Sequence, residues 1–288
     1  MGEACKTRGV IVERQNAVEE LRRSGRSAPS NGRLRKSHSH INRTILMYRV
    51  SRNAIWVSVH LILVLSVARA AELSHDQGTT PFAAEMNKKF TNPHADIYHF
   101  VSRFENDSRD IYVKRHDITR AVGLRPGDAV ADIGAGTGLF SLLFAEQVGP
   151  KGTVYAVDIG PVFVNYIASQ AKKHEYDSII KPVLNTQDST CLAPGSINVA
   201  FVCDTYHHFE HPEKMLASIH QALRPGGRLV VIDFDLHENS SEFVKQRARA
   251  TKEVYCREIT AAGYQLIEKT DVPAIQDNFC AEFRRVER

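Results

Sequence analysis

The segment Asp132-Ile-Gly-Ala-Gly-Thr-Gly-Leu139 constrains this chain more than any other. It continues the apolar run Ala129-Val-Ala-Asp-Ile133. It leads into residues 139–148, whose apolar positions recur at helical spacing. A short buried strand therefore passes through Gly134, Gly136 and Gly138 straight into a helix. Glycine permits positive φ in such a turn and lets a ligand approach the backbone with no Cβ in the way. In doubly wound folds the turn lies at the carboxyl edge of the sheet, where ligands bind.

The alternation continues downstream. Strand-like runs at 153–158, 180–184, 197–203 and 228–233 are separated by helical text at 162–174 and 213–223. Pro182 interrupts the 180–184 run and predicts a position near an edge. This pattern requires a parallel sheet with helices on both faces. A helix is expected over residues 241–262. It is followed by strands at 265–269 and 279–285, whose short connection predicts an antiparallel pair at the sheet edge. Upstream, Tyr98, Phe100, Val101 and Phe104, then Ile111, Tyr112, Ile118, Val122 and Leu124, predict two helical stretches within a cap over 92–125.

Residues downstream of the turn narrow the choice of ligand. Asp158 ends the second strand 20 residues after Gly138. A carboxylate there can accept from both hydroxyls of a ribose. A dinucleotide fingerprint would need glycine at position 139, which is Leu139, and no Gly-Lys-Ser/Thr phosphate loop is present. The turn suits a nucleoside cofactor without phosphate. S-adenosylmethionine, with an amino-acid end and a sulfonium, is such a molecule.

At these residues the chain resembles the class I, Rossmann-like S-adenosylmethionine-dependent methyltransferases of small molecules. Val130-Ala-Asp-Ile-Gly-Ala-Gly-Thr-Gly138 is similar to that family's first motif, and Val154-Tyr-Ala-Val-Asp158 to the segment ending in its ribose-binding acid. Asn185-Thr-Gln-Asp188 resembles the loop whose acid meets the adenine amino group. Leu223-Arg-Pro-Gly-Gly-Arg-Leu229 resembles the approach to the fifth strand, and Ala261-Ala-Gly-Tyr-Gln-Leu-Ile267 the turn into the sixth. The likeness spans roughly residues 109–286. It implies an α/β fold: a doubly wound, mostly parallel seven-stranded sheet with an antiparallel last strand, plus the N-terminal helical cap. The methyltransferase domain would occupy 126–288. It implies S-adenosyl-L-methionine as cofactor, held by Asp132, Gly134, Ala135, Gly136, Gly138, Asp158, Ile159, Asp188 and Asp204. It also implies in-line methyl transfer to a small-molecule acceptor. Two rivals stand beside it: a non-catalytic nucleoside-binding protein of the same fold, and a nicotinamide-dependent oxidoreductase, against which Leu139 already speaks.

Catalysis in such a site is mostly positioning and exclusion of water. His207 and His208, after the fourth strand, are the candidates for a general base. With His211 they show no metal-ligand spacing, so no metal is expected. Tyr98, His99, Phe100 and Phe104 could form a lid or simply pack their helix. The charged run 245–257 reads as a solvated helix face. Cys191, Cys203, Cys256 and Cys280 lack a C-x-x-C pair and read as free core cysteines, with disulfides as the alternative.

Residues 1–53 carry 12 Lys/Arg and 4 Asp/Glu, leaving 25 and 29 of the chain's 37 and 33 for the remainder. The basic excess is thus confined to a Ser-, Asn- and Gly-rich segment that reads as disordered. The acidic remainder gives no support for nucleic-acid binding. Residues 54–68 form an apolar run of 15, short for a membrane span. It closes on Ala68-Arg69-Ala70, a cleavage-like pattern. We expect export through residues 47–70, with Met47 as the start and 71–91 as a linker. An uncleaved anchor through 54–68 and a cytoplasmic protein are the alternatives, which sequencing the mature N-terminus separates.

Overall fold

Strand β1 (Ala129–Ile133) is buried along its whole length and pairs in parallel with β2 (Thr153–Asp158) and β4 (Ile197–Cys203). An unbroken apolar run is what a strand covered on both faces requires. The computed structural model describes residues 81–267 and 275–287. The basic segment 1–53, the run 54–70 and the first ten residues of the expected linker lie outside the described residues. No helix among the described residues is long and apolar enough to cross a membrane.

The sheet has seven strands in the order β3-β2-β1-β4-β5-β7-β6. β3 (Ile180–Leu184) is one edge, where Pro182 withholds no needed donor. β5 (Leu223–Phe234) runs parallel to β4, and β7 (Asn278–Arg285) runs antiparallel to β5. β6 (Tyr264–Ile267) pairs only with β7 and closes the other edge. The last strand is therefore inserted inside the edge rather than added to it. β5 begins earlier than its apolar run because Leu223 pairs with Ile197, and a register shift absorbs the residues between.

Helices cover both faces. On one, α5 (Leu139–Val148) buries Phe140, Phe144, Ala145 and Val148, and α6 (Pro161–Lys173) buries Ile167 and Ala171. On the other, α7 (Pro212–Ala222) and α9 (Lys252–Ala261) bury Met215, Leu216, Ile219, Tyr255 and Ile259.

Five expectations need correction. The stretch 241–262 is two helices, α8 (Glu242–Lys245) and α9. Ser241 caps the first, and the Asp235 carboxylate accepts from the Lys252 amide at 2.8 Å to start the second. The break lets Arg249 reach Glu258 through two hydrogen bonds of 2.7 and 2.8 Å, so the charged run is only partly solvated. Residues 81–91, read as linker, form helix α1 (Pro81–Thr91), because Ala83 and Asn87 are buried on one side of it. The cap after it holds three short helices instead of two: α2 (Ile97–Phe104), α3 (Asp110–Val113) and α4 (Arg115–Val122). Finally, Cys191 is exposed and not in the core, while Cys203, Cys256 and Cys280 are half-buried; none of the four forms a disulfide among the described residues.

Candidate active site

The carboxyl ends of β1, β2, β4 and β5 open into a cleft of about 740 Å3. That volume lies in the range of cofactor and ligand sites. The glycine turn forms one wall. Gly134 has φ +73°, and a Cβ there would stand 2.3 Å from Thr205 Cγ2. Gly136 has φ +54°, and a Cβ there would project into the cleft toward Phe104, 3.6 Å away. The turn is thus pressed flat on one side and left open on the other. Ala135 and Ile159 also line the cleft, whereas Gly138 caps α5 behind the lining.

Asp158 lies across the turn. Its Oδ2 accepts from the Gly136 amide and its Oδ1 from the Gly160 amide, each at 2.8 Å. Burial pushes its pKa up to about 6, against those backbone donors. Asp132 accepts from the Ser141 hydroxyl at 2.6 Å, tying β1 to the first turn of α5. Burial pushes it up to about 7, and the Asp158 charge adds to the effect. Two buried carboxylates facing one turn repel a pyrophosphate and favour a cation.

Opposite, the two histidines have separate jobs. His207 Nδ1 lies 2.8 Å from Asp233 Oδ1, and both side chains are buried. The carboxylate accepts the Nδ1 proton, which leaves Nε2 as the basic nitrogen. Asp233 also accepts from the Phe234 amide at 2.7 Å, so the carboxylate is held before it holds the ring. His208 instead donates Nδ1–H to Asn87 Oδ1 at 2.9 Å, while Asn87 Nδ2 donates to the His208 carbonyl and to Glu210. Burial drives the His208 pKa well below its ordinary value, so it is neutral and ties α1 to the sheet.

Asp204, in the positive-φ region at +48°, binds Arg109 through Oδ2 and accepts from Asn278 Nδ2 at 2.7 Å through Oδ1. Burial raises its pKa and Arg109 opposes this. Its carboxylate latches the cap to the sheet rather than standing free for a cofactor. Asp188 is not brought to the cleft. Its loop turns outward, its carboxylate is half-exposed, and it accepts from the Thr186 hydroxyl at 2.7 Å. Of the expected lid, Phe104 lines the cleft and Phe100 packs against Phe163, with ring centroids 5.0 Å apart. Tyr98 and His99 are exposed outside the cleft. Sequence reasoning missed Asp233, Asn87 and Arg109. Asp233 had a readable signal, since it ends a strand at the same sheet edge as Asp158. Asn87 and Arg109 act across 121 and 95 residues of chain and had none. Among the described residues no cluster of His, Cys, Asp or Glu could hold a metal.

A family model described as a methyltransferase domain matches residues 124–279. The chain belongs to this methyltransferase-domain family. The turn offers an open cradle at Gly136, a carboxylate at Asp158 held by two backbone donors, and a wall that favours a cation. Among similar proteins is the ubiquinone/menaquinone biosynthesis C-methyltransferase UbiE of Hahella chejuensis, 29% identical over 126 residues, 44% of this chain and 50% of that protein. An arsenite methyltransferase of Halobacterium salinarum is 27% identical over 38% of this chain and 28% of its own length. The methyltransferase-domain chain spans about half the length of the curated UbiE relatives it matches. A crystal structure of a SAM-dependent methyltransferase from Aquifex aeolicus shares the fold at TM-score 0.54 and 18% identity, over 66% of this chain and 97% of that one.

Proposed function

We propose that the protein transfers a methyl group from S-adenosylmethionine to a small-molecule acceptor, with His207 as general base. The observation that carries this is one cleft holding the Asp158-closed glycine turn on one wall and the buried His207–Asp233 pair on the other. When bound, the cofactor supplies a methyl group already activated on a sulfonium. Asp158 takes the ribose hydroxyls with the lone pairs its backbone donors leave. Asp132 faces the cofactor's cationic end. Ile159 and Ala135 supply the apolar contacts beside the turn. His207 Nε2 receives the proton of an acceptor hydroxyl; for a phenol or enol this readies either the oxygen or the adjacent carbon. The cofactor would supply the methyl group to the oxygen or carbon so readied and leave as a neutral thioether, while His207 Nε2 holds the hydroxyl proton. Phe90, Phe104 and the rest of the cap keep water from the reacting atoms.

Calorimetry on the full chain, followed by transfer of labelled methyl into a metabolite extract, tests the reading. Micromolar binding of S-adenosylmethionine, about −8 kcal/mol, is expected. Absence of heat and of thermal shift at millimolar ligand overturns it, and binding without transfer leaves the non-catalytic alternative. The pH dependence has a defined sign. In the free protein burial holds Asp132 and Asp158 protonated up to about 7 and about 6. A bound cation favours their charged forms, so binding releases protons below pH 7 and tightens as pH rises. Affinity for S-adenosylmethionine is expected to increase roughly tenfold from pH 5.5 to pH 7. Neutral 5′-methylthioadenosine should change much less. Equal pH dependence for both ligands removes the carboxylates from the cofactor's cationic end.

A further inference from the structure

The cleft wall beyond the cofactor turn is an arc of rings. Phe104 and Phe90 have centroids 6.5 Å apart, and Phe90 meets His208 edge-on at 5.1 Å. His208 and His207 are 4.1 Å apart, His207 and Phe234 5.4 Å, and Phe234 and Phe243 5.7 Å. All six line the cleft.

Cations sit on this arc. The Lys89 ammonium is 4.8 Å from the Phe90 centroid, and the Arg247 guanidinium carbon is 3.7 Å from that of Phe243. Arg103 lines the same cleft. Among the described residues Lys89, Arg103 and Arg247 pair with no carboxylate, unlike Arg109, which Asp204 neutralises. Of the other acids in the lining, all but Asp277 are engaged. Asp132 and Asp158 close on the turn, and Asp110 holds Lys114 and the Gln276 amide. Asp277 stands beside the start of β7, and the carboxylate that Arg247 feels is Asp204. The three unpaired cations crowd each other: Lys89 is pushed down by burial and then by Arg103 and Arg247, and Arg247 by burial and Arg103. Like charges gathered in a cleft repel one another, and a bound anion relieves that repulsion.

We propose that the methyl acceptor is an amphipathic anion, a flat apolar body seated on the ring arc with a carboxylate, sulfonate or phosphate group held by Lys89, Arg103 and Arg247. This rests on the cleft being the methyl-transfer site. The anionic group anchors at the cations, the body lies over Phe90 and Phe234, and the nucleophilic hydroxyl faces His207 at the middle of the arc.

Two dyes of one shape and different charge test this on the full chain saturated with S-adenosylhomocysteine. The anionic probe is 8-anilino-1-naphthalenesulfonate, and the neutral one is N-phenyl-1-naphthylamine. Fluorescence titration at low salt should show the sulfonate binding at least tenfold more tightly. Lys89→Gln with Arg247→Gln should weaken the sulfonate by about tenfold or more and leave the neutral dye and the cofactor product within threefold. Should that pair of changes lower the melting temperature, Arg103→Gln on its exposed side chain takes its place, with the same loss expected. Equal affinity for the two dyes, or sulfonate binding indifferent to these changes, overturns the proposal. Failure of S-adenosylhomocysteine to bind the unmodified chain would instead fall on the cofactor reading, since the dye comparison needs no methyl transfer.

Discussion

His207→Asn lowers the rate of methyl transfer by about 10²- to 10⁴-fold, the range for losing a positioned general base. The substitution is chosen for its geometry. An asparagine amide can occupy the place of Nδ1 and still donate to Asp233, so the buried carboxylate keeps a partner. What disappears is the second nitrogen, which receives the acceptor's proton. The loss therefore falls on kcat. Affinity for S-adenosylhomocysteine, whose contacts lie on the opposite wall, stays within threefold, and the melting temperature changes little. Asp233→Asn acts through the ring and not on the substrate. It weakens the hold on Nδ1 and lowers kcat less than the histidine change does. Stopped assays on the acceptor recovered by labelled-methyl transfer, together with product-binding calorimetry, make the measurement. If His207→Asn keeps kcat within threefold, the pair is structural and positioning alone carries the reaction.

Asp158→Ala weakens cofactor binding more than any other single carboxylate change, by roughly 30- to 1000-fold or about 2–4 kcal/mol. Its two oxygens already orient the Gly136 and Gly160 amides, and in the proposed binding mode their remaining lone pairs take the ribose hydroxyls. Removing the carboxylate deletes both ribose contacts and loosens the turn that positions the rest of the cofactor. Folding survives, because the site is in a cleft where water can serve the two freed amides, and because a charge that burial already disfavours is removed. Asp158→Asn keeps one acceptor and falls between. Asp188→Ala costs less than either, since its carboxylate is half-exposed and engaged with Thr186. Calorimetry on the folded variants decides the matter. Binding by Asp158→Ala within threefold of the unmodified protein would mean that the ribose is held elsewhere.

Local chemistry decided much of this protein before any contact between distant residues formed. The glycine turn, the strand and helix order, the edge position of β3 and the antiparallel pair at the far edge follow from periodicity, from glycine's access to positive φ and from proline's missing donor. So do the candidate acids Asp132 and Asp158, because the carboxyl ends of β1 and β2 carry them to the cleft. Tertiary structure decided what short-range pattern cannot encode. Residues 81–91 carry no strong periodic signal, and they become α1 because Asn87 finds His208 and Glu210. Residues 241–262 read as one helix, and they break because Asp235 and Glu258 reward a different path for the chain. The different partners of two adjacent histidines, a carboxylate for His207 and an amide for His208, came from Asp233 and Asn87, 26 and 121 residues away. Asp204 became a latch only because Arg109 lies opposite it. A hydrogen bond contributes only when both partners are in place, and the distance that separates such partners in the sequence is invisible to any window that reads it.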